Sequence, residues 1–274
     1  MAGTSIHFDR NVEGWLHYSG TLKGRLRHEL TWRHLEKHIR SVKGKMRVFD
    51  AGCGLGEMAF QLLEKAAEIV VLDFSEDMLM EAKKRFAEDH SASDRDRRIF
   101  IHGRVEELEH ILPQGSFDLI LCHNLLEYVE DPRAVLTKMV QRLAPQGLLS
   151  LVAANRFGEV FKLALVKKNL EQARMALHEK NSTAELFDNA PKHIFSLEDL
   201  EEMADGSGLD VLNRYGIRIF SDYLPEEVMK EPGNERLLFE LEKEAATLAP
   251  YLHAARYLQL ICRKKTSDGT GSTE

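Results

Sequence analysis

Three glycines at alternate positions, with an acid further along the chain, are the residues best suited to hold a nucleoside. Gly52, Gly54 and Gly56 follow one apolar stretch, and Asp73 ends the next. Glycine permits positive φ and a close approach of the backbone to a ligand, and the N–H groups that open a following helix can bind it. A carboxylate about twenty residues after such a turn is placed to bind ribose hydroxyls. The two motifs predict a site for a nucleoside-bearing ligand.

The elements that position these residues have the pattern of a strand, a turn and a helix. Residues 47–51 have the character of a buried parallel strand, and residues 57–68 have helical spacing of apolar side chains. The glycine pattern is G-x-G-x-G, not the G-x-G-x-x-G of dinucleotide sites, and no Lys-Ser/Thr pair of a P-loop follows it. A strand–helix turn that binds no ligand is the alternative interpretation.

Residues 48–56, together with Asp73, resemble the first motif and the acidic residue of class I S-adenosylmethionine-dependent methyltransferases. The resemblance implies an α/β, Rossmann-like fold with a seven-stranded sheet, and S-adenosyl-L-methionine as the cofactor. The rest of the chain alternates between strand and helix patterns in the matching order. Further strands are predicted at residues 69–73, 98–102, 117–123, 148–152, 209–220 and 257–262, the last of them antiparallel.

The organisation predicted around this sheet includes two helical additions. Residues 1–46 form an N-terminal helical extension, residues 47–264 the methyltransferase domain, and residues 265–274 a disordered tail. Within the domain, a cap insertion covers about residues 156–195, helical over 157–180 and irregular over 181–192. We expect the insertion to lie over the substrate. The extension is expected either to close the ligand crevice or only to pack against the domain.

Composition and cysteine usage limit the class of protein. Hydrophobic residues make up 43% and charged residues 30% of the 274, as in a globular protein. No apolar run approaches the roughly eighteen residues that cross a bilayer, and the N-terminus lacks a signal-peptide pattern, so we expect a cytoplasmic protein. Cys53, Cys122 and Cys262 are widely separated and form neither a disulfide framework nor a zinc motif. No metal site is expected.

The charge is distributed unevenly along the chain. The formal net charge is −7, yet ten basic residues stand against four acidic ones up to Arg47. A local basic face is all that a phosphate-bearing substrate requires. A solvated helix surface explains the same charges equally well. The candidates for contact with nucleic-acid phosphates are Lys23, Arg25, Arg33, Lys167 and Lys168.

Segments outside the glycine turn indicate a narrower family. Residues 20–27 with Trp32, residues 119–133 and residues 216–224 resemble segments of the bacterial tRNA 5-carboxymethoxyuridine methyltransferases, and the likeness extends over about residues 8–263. That family uses S-adenosylmethionine to esterify the carboxylate of 5-carboxymethoxyuridine at the tRNA wobble position. The resemblance therefore implies tRNA as the substrate.

The resemblance also implies roles for individual residues. Arg27 contacts the methionyl carboxylate, and the backbone of Gly52, Cys53 and Gly54 lines the cofactor. Asp73 holds the ribose, Val105 and Glu106 flank the adenine, and His123 lies at the methyl end. Because His123 ends a predicted strand at the edge where such sheets bind ligands, contact is favoured over a satisfied core histidine.

A carboxylate acceptor is already ionised at neutral pH, so its methylation needs alignment of the reacting atoms more than a strong base. Arg218 is the candidate to hold the acceptor carboxylate, since a guanidinium binds a carboxylate through two hydrogen bonds, and Tyr223 is its candidate partner. A surface position on a strand is the alternative for Arg218.

Two other functions are compatible with the sequence. A small-molecule methyltransferase is one, because the acidic overall charge suits it slightly better and residues 157–192 match the tRNA-modifying family poorly. A protein that binds S-adenosylmethionine without transferring its methyl group is the other. The sequence determines neither the acceptor nor the oligomeric state.

Overall fold

A seven-stranded sheet is the central feature of the computed structural model, which describes residues 12–40, 42–88, 97–184 and 189–266. The strand order is β3-β2-β1-β4-β5-β9-β8, and β9 runs antiparallel to both of its neighbours. This confirms the predicted fold class. The strands of the sheet are β1 Met46–Ala51, β2 Ala66–Asp73, β3 Arg98–His102, β4 Phe117–His123, β5 Leu143–Ala154, β8 Leu209–Ile217 and β9 Tyr257–Lys264.

A separate antiparallel hairpin consists of β6 Asn181–Ala184 and β7 Ala190–His193. The helices are α1 Val12–Gly20, α2 Leu22–Ile39, α3 Glu57–Gln61, α4 Glu76–Ala87, α5 Leu108–Ile111, α6 Pro132–Gln141, α7 Arg156–Phe161, α8 Leu170–Ala176, α9 Leu197–Gly206, α10 Glu226–Lys230, α11 Asn234–Ala245 and α12 Ala249–Ala254. Short 3-10 turns occupy Leu63–Lys65 and Val105–Glu107, and a π turn occupies Lys162–Val166.

Both faces of the sheet are buried, which is why its parallel strands are almost continuously apolar. Phe49 on one face packs in a cluster with side chains of α5, α6 and α9. The preceding residue, Val48, points to the other face and packs with side chains of α2, α3 and α4. Alternate residues of one strand therefore hold two layers of helices, and the strand ends remain at the sheet edge.

The strand order reverses between β1 and β4, which pair in parallel. Asp50 lies opposite Leu121 and Ala51 opposite Cys122 in this pairing, so the turn after β1 and the end of β4 meet at one edge. Such a reversal opens a crevice at the carboxyl ends of the strands.

Side-chain caps fix the starts of two helices. Ser75 Oγ accepts a hydrogen bond from Met78 N at the start of α4. Ser196 and Asp199 form a reciprocal capping box at the start of α9.

Three local predictions are wrong. The helix expected over 57–68 ends at Gln61, because Ala66 already pairs with Met46 of β1 and the chain must become extended before it. The stretch 157–180 is not one helix but α7, the π turn and α8. Residues 181–192, expected to be irregular, contain the β6–β7 hairpin, whose Ala184 and Ala190 pack with Leu55 and Met78.

Some predictions concern residues outside the described ranges: the first residues of the N-terminal extension and the tail from residue 267. Among the described helices, none combines the length and the apolar character that a bilayer crossing needs.

Candidate active site

A cavity of about 560 Å³ opens at the sheet edge where the strand order reverses. Its walls come from the glycine turn after β1, from α1 and α2, from the ends of β4 and β5, from the β6–β7 hairpin and from the segment after β8. The predicted site residues that line it are Arg27, Gly52, Cys53, Gly54, Asp73, His123 and Arg218. The cavity is large enough for a nucleoside cofactor with part of a second molecule.

The glycine turn has a backbone that other residues would strain. Gly52, Gly54 and Gly56 have φ of 68°, 52° and 69°. A Cβ on Gly56 would lie 3.1 Å from both Ala82 Cβ and Phe86 Cε2, so this glycine is needed for packing. At Gly54 the nearest atom to an added Cβ is the indole nitrogen of Trp15 at 4.0 Å. The open side of Gly54 faces the cavity, as a backbone cradle for a ligand requires.

Asp73 connects this turn to the end of β2. Its Oδ2 accepts a hydrogen bond from Gly54 N at 2.8 Å, and its Oδ1 accepts one from Ser75 N at 2.9 Å. Asp73 also lines the cavity, so the carboxylate that fixes the turn lies where the sequence predicts a contact with ribose. Beside it, burial and the carboxylates of Asp73 and Asp50 raise the pKa of the Cys53 thiol. The raised pKa disfavours the thiolate, which is the nucleophilic form of cysteine.

Val105 and Glu106 lie in a recess that joins the cavity. The recess has a volume of about 30 Å³ and shares five lining residues with the main cavity: Gly52, Asp73, Phe74, Leu125 and Tyr128. Val105 is buried, and the carboxylate of Glu106 is 3.1 Å from Arg104 Nη2. The two residues predicted to flank adenine therefore lie together, next to the carboxylate predicted to hold the ribose.

Arg27 is held in the cavity wall by aromatic rings and an amide. Its guanidinium carbon lies 4.6 Å from the centroid of the Trp15 ring and 5.2 Å from that of Tyr18. Its Nη1 donates to Asn124 Oδ1 at 3.3 Å. Trp15 and Tyr18 belong to α1, so the N-terminal helices cover the cavity as well as packing on the domain.

His123 is a neutral ring at the end of β4. Burial, with the charges of Arg27 and His28, lowers the pKa of His123 to about 3. Its Nε2 is 2.8 Å from Ser150 Oγ, and Gln259 Nε2 is 3.1 Å from the same hydroxyl. Since Gln259 Nε2 also donates to the carbonyl of Thr31, the amide nitrogen faces Ser150. The Ser150 hydroxyl then donates to His123 Nε2, which leaves the ring proton on Nδ1.

A cluster of buried charges forms the end of the cavity opposite the glycine turn. Arg218 Nη1 donates to Tyr18 Oη and Arg218 Nη2 donates to Asp222 Oδ1. Arg218 Nε is buried and has no hydrogen-bond partner in the described part of the chain. A buried N–H without a partner is costly, and the structure bears this cost at Arg218.

Arg256 continues this cluster. Its Nη1 is 2.5 Å from Glu159 Oε2 and its Nε is 3.6 Å from Asp222 Oδ2. Lys192 Nζ lies 3.8 Å from the same Glu159 oxygen. Burial alone would raise the pKa of Glu159, but Arg256, Lys192 and Lys162 outweigh it and lower that pKa to about 2. The carboxylate is therefore ionised and serves to hold the cations.

The cluster has an excess of positive charge. It consists of five cations, two carboxylates and the ring of Tyr257. The cations are Lys23, Lys162, Lys192, Arg218 and Arg256, and the carboxylates are Glu159 and Asp222. Burial raises the pKa of Tyr257, but the charges of Arg218, Arg256 and Arg27 outweigh burial and bring this pKa below its ordinary value. An anionic acceptor group would be stabilised in the same field.

The structure does not bring Tyr223 to the cavity with Arg218. The Tyr223 hydroxyl donates to the carbonyl of Ala254 at 2.9 Å, and the residue is not part of the cavity lining. The residue at the equivalent place beside Arg218 is Tyr18 of α1. The sequence interpretation missed Tyr18, Glu127, Lys192, Asp222, Arg256 and Tyr257; of these, only Asp222 had a local signal, its position four residues after Arg218.

The cavity has a backbone cradle that suits a nucleoside cofactor at one end and a cationic pocket at the other. This arrangement suits the transfer of a group between two bound molecules. Residues 42–211 match the family model described as "Methyltransferase domain", and the chain belongs to that family. It is a class I, S-adenosylmethionine-dependent methyltransferase.

Among curated relatives, the tRNA 5-carboxymethoxyuridine methyltransferase of Escherichia coli (strain K12) is 33% identical over 263 residues, which cover 95% of this chain and 94% of the relative. The ubiquinone biosynthesis O-methyltransferase of Bradyrhizobium diazoefficiens is 31% identical over 136 residues, 49% of this chain and 51% of the relative. The second match covers only about half of each protein, so the first describes far more of the chain.

Solved structures agree on the fold. Magnesium protoporphyrin IX methyltransferase from Synechocystis PCC 6803 with bound S-adenosylhomocysteine superposes with a TM-score of 0.60 at 15% identity, and 96% of each chain is covered. The N-methyltransferase NodS from Bradyrhizobium japonicum gives a TM-score of 0.58 at 16% identity, over 96% of this chain and 99% of that one.

Proposed function

We propose that this methyltransferase esterifies the carboxylate of 5-carboxymethoxyuridine at the wobble position of tRNA. The observation that carries the proposal is the 33% identity with the E. coli tRNA 5-carboxymethoxyuridine methyltransferase over 95% of the chain. This match covers too much of the chain to reflect only the half that binds the nucleoside cofactor. A cavity with a surplus of cations over carboxylates at the acceptor end supports it independently.

The cofactor end is formed by residues whose geometry fits an adenosine. Asp73 would bind the ribose hydroxyls, and Val105 and Glu106, which line the adjoining recess, would flank the adenine. Arg27 would hold the methionyl carboxylate. When bound, S-adenosylmethionine supplies a methyl group on a positively charged sulfur, and its transfer to a carboxylate oxygen leaves a neutral thioether.

The acceptor end holds and orients a carboxylate, and needs no general base. Arg218 lines the cavity within the cationic cluster, where its charge would attract the acceptor, and the ionised acceptor carries its own nucleophilic oxygen. His123 is neutral, so it does not repel the positive sulfonium, and its Nδ1–H can donate a hydrogen bond. The α1 residues Trp15 and Tyr18 cover the site and limit its contact with water.

The nucleic acid would approach the opening between α2 and residues 156–195, which we propose act as a cap. Lys23 and Lys167 line the cavity there. Two other candidates for phosphate contact, Arg25 and Arg33, do not line the cavity. We therefore favour Lys23 and Lys167 as phosphate contacts. A tRNA substrate implies action in the cytoplasm.

The direct test uses labelled S-adenosylmethionine with two pools of bulk bacterial tRNA, one with and one without the 5-carboxymethoxy group. The expected product is a labelled methyl ester of the modified nucleoside from the first pool alone. Binding of that tRNA should weaken steeply between low and moderate salt, because counterions are released from the phosphates. Label found only in a small-metabolite fraction would refute the tRNA assignment.

Arg218→Ala tests the acceptor role. We expect a fall in kcat/KM for modified tRNA of about 10- to 100-fold, from loss of a charge-assisted hydrogen bond, with the Kd for S-adenosylhomocysteine within about twofold of wild type. Arg214→Ala is the matched control, since Arg214 pairs with Glu201 on the surface. Equal losses of cofactor affinity and turnover would contradict the role assigned to Arg218.

A further inference from the structure

The segment that carries Arg218 is fixed from behind by a carboxylate of α11. Glu242 is fully buried, and its Oε2 accepts a hydrogen bond from Ile219 N at 2.6 Å. Its Oε1 accepts from Phe220 N at 3.0 Å and from Ser221 N at 2.8 Å. One side chain therefore binds three successive backbone N–H groups of the segment 218–222.

Glu242 occupies the inward face of an amphipathic helix. The buried residues of α11 are Leu238, Glu242 and Ala245, at helical spacing. An acid in an apolar stripe is costly unless hydrogen bonds compensate its burial. Within the described ranges, Glu242 forms no ion pair, and the three backbone bonds provide this compensation.

Arg218 needs such a constraint because its backbone conformation is unfavourable. Its φ is 61°, in the left-handed region that a long L side chain seldom adopts. The carbonyl of Arg218 accepts a hydrogen bond from Arg256 N at 3.0 Å, which fixes the residue on its other side. The left-handed turn sends the guanidinium to Tyr18 and Asp222 in the cavity wall.

We propose that Glu242 is a positioning residue for the acceptor site: by binding the N–H groups of residues 219–221 it holds Arg218 in the left-handed conformation that aims its guanidinium into the cavity. This inference rests on the proposed role of Arg218 in acceptor binding. Glu242 itself does not line the cavity and acts only through this segment.

The test is a double-mutant cycle with Glu242→Gln and Arg218→Ala in the full-length protein. Glutamine has the shape of glutamate, but its amide nitrogen cannot accept a hydrogen bond, so at least one backbone N–H loses its partner. Alanine at 218 keeps a Cβ at positive φ and removes the rest of the side chain, including the guanidinium. The measurements are kcat and KM for tRNA that carries the 5-carboxymethoxy group, and the Kd for S-adenosylhomocysteine by calorimetry.

We expect Glu242→Gln alone to lower kcat/KM for the modified tRNA by about tenfold or more, with the Kd for S-adenosylhomocysteine within about twofold of wild type. In the Arg218→Ala background, the same change should lower kcat/KM by less than about twofold, because its effect depends on the guanidinium. Asp199→Asn is the matched control: it also converts a carboxylate that accepts a backbone N–H, in the capping box of α9, and should leave kcat/KM unchanged.

Four outcomes would overturn the inference. An equal loss in both backgrounds, or a parallel loss of S-adenosylhomocysteine binding, would mean that Glu242 only supports the fold. A wild-type kcat/KM for Glu242→Gln would mean that the segment holds its shape without the carboxylate. If Arg218→Ala itself has wild-type kcat/KM, the proposed acceptor role of Arg218 fails, and the role of Glu242 fails with it.

Discussion

Replacement of Asp73 by asparagine is the sharpest test of the cofactor site. The two carboxylate oxygens accept hydrogen bonds from Gly54 N at 2.8 Å and Ser75 N at 2.9 Å. Asparagine keeps one acceptor oxygen, while its amide nitrogen must face the other N–H. In either orientation one of the two backbone bonds is lost, and one acceptor for the ribose hydroxyls is lost with it.

The size of the effect follows from the bond that is removed. A hydrogen bond to a charged group contributes about 1.5–3 kcal/mol. Because each 1.4 kcal/mol corresponds to a tenfold change in Kd, we expect Asp73→Asn to weaken binding of S-adenosylhomocysteine by about 10- to 150-fold. The upper part of this range applies if the lost backbone bond is the one to Gly54, since the turn itself then loosens.

Isothermal titration calorimetry measures this change directly. Glu68→Gln is a matched control, because Glu68 lies on the same strand, away from the cavity, where its carboxylate is 2.5 Å from Arg47 Nε. The control should bind within about twofold of wild type. An Asp73→Asn protein that binds S-adenosylhomocysteine as tightly as wild type would refute the assignment of Asp73 to the ribose.

Two pH-dependent predictions concern buried carboxyl groups. Burial and the neighbouring Asp73 raise the pKa of Asp50 to about 7, so wild type loses up to ~1.4 kcal/mol of stability per pH unit as pH rises from about 4 to 7. The free energy of unfolding of Asp50→Asn, measured by urea denaturation, should lack this decrease with pH. The same pH dependence of that free energy in both proteins would contradict the prediction. The pKa of Glu159 is lowered to about 2. Its contribution to the free energy of unfolding is therefore complete above about pH 4.5 and disappears as pH falls toward 2. Glu159→Gln should lose roughly 3 kcal/mol at pH 7, because Arg256 stays buried without its main partner. An acid titration followed by circular dichroism checks this, and an unchanged midpoint would refute it.

Much of the sheet could be predicted because its signals are local. The strands β3 and β4 have the predicted bounds. The β6–β7 hairpin could not be predicted, because residues 181–192 lack an apolar alternation. Its stability comes from pairing and from the packing of Ala184 against Leu55 and Met78, which are distant in sequence.

The sequence by itself determined the cofactor end of this protein. The glycine turn and Asp73 follow consecutive strands, and consecutive parallel strands end at the same sheet edge, so order along the chain already places them together.

Only the tertiary structure decided the acceptor end. Tyr18, Glu159, Arg218, Glu242 and Arg256 come from five separate elements or connections, and no periodicity relates them. Their pairing depends on how α1, α7 and α11 pack around β8 and β9. The left-handed turn at Arg218 likewise depends on a carboxylate that follows it by 24 positions in sequence, a distance over which residue spacing carries no information about contact.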